Sequence, residues 1–281
     1  MMSTILACTD GSLYAPSIYQ HSHWVALRSG LPIHVLHVIE RDDRGEAQDL
    51  SGSIGFDASA ELLEELAKHD ESHARVARLR GKAILEDARK QLAGAEVMTT
   101  QRHGSVVETL MEFEEEAALV VIGKRGEHAD FSKGHLGSNL ERVIRRTKIP
   151  VMVAARKFEP IERFLIAFDG GDSALKAVYH VATDPMLKGL ACHILMCGKP
   201  KRDHEVAFER AADSLRGAGF EVTADLVDGE ADEVIAKEVT DRSIDLLVMG
   251  AYGHTRVRHL ILGSTTTHLI RTCQIPVILH T

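Results

Sequence analysis

The chain has 281 residues, 44% apolar and 26% charged, the balance of an ordinary soluble globular protein with length for two domains. Its net charge of −8, from 33 Lys and Arg against 41 Asp and Glu, argues against a general nucleic-acid surface. No apolar run approaches the ~18–20 residues that span a bilayer, so no membrane segment is expected. The first residues lack the charged leader and long apolar core of an export signal. Cys8, Cys192, Cys197 and Cys273 fall in or beside apolar runs without metal-ligand spacing. Together these features predict a cytoplasmic protein whose thiols serve as small buried hydrophobes.

Taken in chain order, short apolar runs alternate with longer segments of helical period, the pattern of a parallel sheet covered on both faces. Strands are predicted at 4–9, 33–39, weakly at 96–101, at 119–122 and at 151–154. Helices are predicted at 12–28, 57–92, 106–116 and 138–146. The stretch 41–55 is polar and glycine-rich and reads as a mobile loop. As one helix, 57–92 would extend ~54 Å at ~1.5 Å per residue, too long for a five-stranded sheet, which predicts a break near Gly81 or an overhang. Its many charges read as a solvated face, with a partner-binding helix as the alternative. The pattern then repeats: strands at 164–168, 193–197, 221–226, 246–249 and 277–279, helices at 173–183, 204–218, 230–241 and 264–271.

The repeat can be registered residue by residue. Asp10 matches Asp169 and Val38 matches Cys197, both 159 apart; Gly126 matches Gly253 at 127, and Gly137 matches Gly263 at 126. The first copy therefore carries 32 extra residues before its glycine loop and one more inside it. A period this long means two domains of one kind, 1–156 with an insert at about 41–92, and 157–281. The fold expected is α/β, two Rossmann-like domains, each a five-stranded parallel sheet with helices on both faces.

In open parallel sheets, ligands sit beyond the carboxyl ends of the strands. Both copies place unusual residues there. The first strand ends in Asp10-Gly11-Ser12 or Asp169-Gly170-Gly171. The fourth ends in Ile122-Gly123-x2-Gly126 or Met249-Gly250-x2-Gly253, and the next helix opens at Gly137-Ser138-Asn139 or Gly263-Ser264-Thr265. Glycines after a buried strand and at a helix start present backbone N–H groups to an anion, which makes nucleotide binding the leading expectation. The plainer alternative is that Gly, Asp and Ser are ordinary turn and N-cap residues.

The spacing Gly250-x2-Gly253-x9-Gly263-Ser264 resembles the nucleotide-binding signature of the universal stress protein family. The Asp-Gly-Ser after the first strand and the Leu-His-Val run at 36–38 resemble that family too, and the likeness covers nearly all of both halves. It implies an adenine nucleotide alpha hydrolase-like fold and a stress-response protein binding ATP, AMP or ADP, with Mg2+ on the phosphates. It further implies that Asp169 and Asp10 lie near adenine and ribose and that Cys197 and Val38 meet adenine through their backbone. Met249, Gly250, Gly253, Gly263, Ser264 and Thr265 would hold ribose and phosphates, with Ile122, Gly123, Gly126, Gly137, Ser138 and Asn139 as counterparts. Family members also pair domains through their last strands, here 149–154 and 275–279, and a homodimer is expected.

The first copy has ten residues rather than nine between its later glycines, with Lys133-Gly134 inserted, which would push the helix start away from a phosphate or bulge outward. The second copy is therefore expected to be the better site, with Arg256 and Arg258 near the phosphates. Three other functions compete. A scaffold of the same fold would bind no nucleotide. An ATP pyrophosphatase loop is approximated by Asp169-Gly170-Gly171-Asp172-Ser173, but its first serine is missing and its spacing fails. Metal binding by His69 and His73, four apart on a helix, lacks a third ligand. No residue stands out as a base to orient a water, so efficient ATP hydrolysis is not expected.

Overall fold

The computed structural model describes residues 3–40, 59–124, 136–252 and 262–281. The first half runs β1 (Thr4–Cys8), α1 (Ala15–Ser29), β2 (Ile33–Ile39), α2 (Ser59–Gln91), β3 (Val97–His103), α3 (Val106–Phe113), β4 (Ala117–Gly123), α4 (Ser138–Arg146) and β5 (Val151–Ala154). The second runs β6 (Arg163–Ala167), α5 (Asp172–Thr183), β7 (Ala191–Cys197), α6 (Arg202–Gly217), β8 (Val222–Val227), α7 (Ala231–Asp241), β9 (Leu246–Gly250), α8 (Ser264–Thr272) and β10 (Val277–His280). The strand registers reproduce the repeat: Ile5 lies beside Ile33 and Leu119, and Phe164 beside Cys192 and Leu246.

The ten strands of the described residues form one sheet in the order β3-β2-β1-β4-β5-β10-β9-β6-β7-β8. Pairing is parallel within each half and antiparallel only where β5 meets β10, with Met152 opposite Ile278. The expected edge-to-edge pairing of the last strands thus occurs inside the chain. The central strands are buried on both faces, so alternate residues feed two cores. Ile5, Val35, Val121 and Ile166 face α1, α2, α5 and α6; Leu6, Val120, Leu165 and Leu247 face α3, α4, α7 and α8.

Helix α2 is continuous for 33 residues, so the expected break near Gly81 does not occur. The helix overhangs instead: from Arg75 back toward its start the described side chains are exposed, and burial begins at Gly81. Glycine serves contact there. A Cβ would stand 2.3 Å from Gln101 Nε2 and 2.7 Å from His37 Cδ2. His37 is buried, its Nδ1 2.9 Å from the Thr9 carbonyl oxygen. Gly81→Val is expected to destabilise the chain by about 2 kcal/mol through overpacking. An unchanged urea midpoint in that variant would show that the helix does not depend on the close approach. The polar stretch 41–55 lies outside the described residues.

The two halves also lock to each other beside the sheet. Lys124, one residue past β4, is buried and its Nζ donates to the Cys273 carbonyl at the end of α8. In return, Tyr252 donates its hydroxyl to the Ile144 carbonyl of α4 (3.3 Å), and Thr281 donates to the Thr147 carbonyl (3.0 Å). Each half thereby satisfies carbonyls that the other half's helix leaves unpaired. On the opposite face, the Arg28 guanidinium at the end of α1 donates to the Met186 and Lys188 carbonyls.

Candidate functional site

In the second half, the carboxyl ends of β6, β7 and β9 and the start of α8 carry Asp169, Cys197, Met249, Gly250, Gly263, Ser264 and Thr265. Phe168 donates its N–H to the Leu195 carbonyl (2.9 Å), carrying the chain to Asp169 at the carboxyl end of β6. The Asp169 carboxylate turns back on its own loop and accepts from the Gly171 N–H (2.8 Å), the hydrogen bond of an ordinary Asx turn. Asp10 does the same with the Ser12 N–H (2.9 Å). Both aspartates therefore have a turn-forming role in addition to any ligand contact.

Gly250 closes β9 against the start of α5. A Cβ there would lie 2.3 Å from Ser173 Oγ and 3.1 Å from the Ala174 nitrogen, so packing alone demands glycine. Ser173 Oγ in turn donates to the Tyr252 carbonyl (2.8 Å), fixing the chain as it leaves the strand. Met249 and Ile122, one residue before the glycines, are buried in the core under α3, α4, α7 and α8 with their side chains away from solvent. Cys197 and Val38 are part-buried at the ends of their strands against the same core. Burial, with a smaller contribution from Glu238, pushes the Cys197 thiol up to about 11, so it is a protonated apolar group near neutral pH.

The helix starts are the open feature of this edge. Gly263 caps α8 and Gly137 caps α4, both with ordinary negative φ, and neither first turn receives a side-chain cap. The leading amides of each helix have no intrahelical partner and lie at the positive end of its dipole. Gly263 donates to the Ala251 carbonyl (3.4 Å), and Gly137 makes the matching bond to Lys124 (3.3 Å). The tenth residue of the first loop therefore does not push the α4 start away from its strand. Gly126, Lys133, Gly134, Gly253, Arg256 and Arg258 lie outside the described residues.

A family profile described as the universal stress protein family matches residues 1–155 and 198–280. This chain belongs to the universal stress protein family. Universal stress protein Slr1230 of Synechocystis sp. is 37% identical to it over 284 residues, covering 99% of each chain. A universal stress protein crystal structure from Archaeoglobus fulgidus aligns over 99% of this chain and 98% of its own, with TM-score 0.72 and 20% identity. A functionally unknown protein from Pseudomonas aeruginosa PAO1 aligns over 99% and 92%, with TM-score 0.60 and 17% identity. These two structural likenesses speak to the α/β fold.

In this family member the halves differ at a position that sequence reasoning passed over. Glu40, one residue beyond β2, reaches the start of α4, where Asn139 Nδ2 donates to both carboxylate oxygens at 3.1 Å. The register puts Lys199 at the matching position after β7 and Thr265 opposite Asn139. Lys199 is exposed and 3.4 Å from Asp228. The reversal of charge is visible in the sequence once the repeat is registered, but the reach of Glu40 to a helix 99 residues away is not. His69 and His73 stack with ring centroids 4.1 Å apart, and the described residues contain no group of three or more side chains suited to a metal ion. No helix among them is long and apolar enough to cross a membrane.

Proposed function

We propose that this universal stress protein binds ATP, or AMP or ADP, in its second half, and acts through nucleotide-dependent conformation or association. The observation that carries the proposal is the uncapped start of α8 at Gly263, anchored to β9, at the edge shared with Asp169. Backbone amides of Ser264 and Thr265 would take phosphate oxygens, each charge-assisted bond contributing ~1.5–3 kcal/mol. Asp169 and the Cys197 backbone would meet the nucleoside, with Met249, Gly250 and Gly253 lining the approach. The corresponding residues of the first half would be Asp10, Val38, Ile122, Gly123, Gly126, Gly137, Ser138 and Asn139. There, however, Glu40 sets a carboxylate beside the helix start where a phosphate would bind, and like charges exclude each other. One nucleotide per chain is the consequence.

A divalent ion such as Mg2+ would sit on the phosphates and keep most of its waters, so this chain need supply few ligands. The chain's own groups orient the nucleotide and supply positive dipole; no general base is assigned to them. The halves 1–156 and 157–281 act as two domains in this scheme, and pairing of two chains would relay the nucleotide state. A nucleotide-free scaffold of the same fold is separated from this proposal by one measurement. Calorimetric titration of the purified, nucleotide-stripped protein with MgATP is expected to give one binding event per chain. Absence of binding, together with no nucleotide in the supernatant of heat-denatured protein, would overturn the proposal.

A further inference from the structure

The halves treat one cleft differently. After β5 the chain continues across the face covered by α1 and α5 as residues 155–162, filling the cleft beside α1. Ser17 Oγ donates to the Ala155 carbonyl (2.6 Å), the Phe158 ring meets His21 edge to face at 5.1 Å, and Ile161 is buried in the core below. The repeat maps His21 onto His180 and Ala154 onto His280. At the mapped position beside α5, no segment among the described residues occupies the cleft. A cavity of about 530 Å3 remains, lined by Pro150, Leu175, Tyr179 and His180, with Lys148 and Lys176 at its rim. His280 forms the floor, its ring 5.1 Å from that of His180. Burial, then the neighbouring His180 and Lys176, pushes His280 down to about 3, so the floor is neutral and apolar in character near neutral pH.

The open cleft has also changed its chemistry. Leu175 and Tyr179 stand where α1 has Pro16 and Gln20, and they are 43% and 72% exposed. Lys176 replaces Ser17, and Lys148 stands where the other half has Gln274. Lys176 Nζ donates to the Thr281 main-chain oxygen (2.9 Å), and Asp172 is the acid at the mouth. Relative to its filled counterpart, the cleft gains Leu175, Tyr179 and two lysines, with Asp172 in place of Leu13, so its rim is more basic on balance.

We infer that this cleft docks an extended acidic segment of a partner protein carrying an aromatic and an aliphatic residue three apart. The chemistry starts from the segment that fills the sister cleft, neutral overall with Arg156, Lys157, Glu159 and Glu162, in which Phe158 and Ile161 stand three apart. It is completed by the two lysines, which suit acids at the flanks. The inference is independent of the nucleotide proposal, since no residue lining the cleft is assigned to that site.

The probe is a fluorescent peptide of residues 155–162 carrying Arg156→Glu and Lys157→Glu, titrated with the full chain. Saturable binding is expected, weakened at least ~tenfold by Leu175→Glu, a change on an exposed helix face worth ~1.4 kcal/mol or more. Lys148→Glu should weaken it further at low salt. No binding, equal binding of a scrambled peptide, or indifference to Leu175→Glu would overturn the inference. So would a Leu175→Glu variant that converts a dimer of the chain to a monomer, because the occupant would then be a second copy.

Discussion

On the proposed function, Glu40→Lys is expected to raise the number of ATP molecules bound per chain from one to two. In the unaltered chain a phosphate at the α4 start would meet the Glu40 carboxylate, held there by Asn139. Two unit charges ~4 Å apart interact by ~4 kcal/mol at an effective dielectric of 20. Glu40 is exposed, so solvent and salt reduce this to roughly 1 kcal/mol. Reversing the charge replaces a repulsion with an attraction and doubles the change to roughly 2 kcal/mol, an improvement on the order of thirtyfold in affinity. The complementary Lys199→Glu should weaken the second site by a similar factor. Both effects should shrink between low and high salt, while thermal unfolding without nucleotide stays the same. A stoichiometry that remains at one in Glu40→Lys would show that something other than charge closes the first half. If the unaltered chain binds two nucleotides, the asymmetry itself is wrong.

Fold and family were legible in the residues because they rest on short-range physics. Short continuous apolar runs such as Leu119–Ile122 fit strands inside a doubly covered sheet, and the two offsets placed ten strands in register. What the sequence did not disclose was contact between distant segments. The length of 57–92 predicts a break near Gly81 or an overhang, and glycine ordinarily weakens a helix. The close approach of His37 and Gln101 reverses that argument, because only a residue without Cβ lets the helix reach the sheet. Gly250 illustrates the opposite error of attribution. Its place in a glycine signature invites a ligand explanation, yet Ser173 and the Ala174 nitrogen already exclude any larger residue. A substitution there would disturb the α5 contact before it disturbed a phosphate.

Lys124 makes the same point with the largest expected effect on stability. A lysine directly after Gly123 stands where a phosphate contact would be sought. The chain instead turns it toward the other half, where it is only 9% exposed and donates to Cys273 at the carboxyl end of α8. That end carries unpaired carbonyls and the negative pole of the helix, so a buried ammonium both fills a hydrogen bond and meets favourable charge. Lys124→Met keeps the apolar stem and loses the donor, at ~1.5–3 kcal/mol for a charged hydrogen bond. Lys124→Glu places a carboxylate against the same carbonyls and is expected to cost ~3–5 kcal/mol, the range for uncompensated buried charge. Because β5 and β10 make the halves one sheet, the loss should appear as a melting point lower by roughly 10 °C, at ~2–4 °C per kcal/mol for a larger domain. ATP stoichiometry in Lys124→Met should be unchanged, since the contact it breaks is with a helix end rather than with nucleotide. A melting point within ~2 °C of the unaltered chain for Lys124→Glu, an effect below ~1 kcal/mol, would mean that the ammonium does not hold the two halves together.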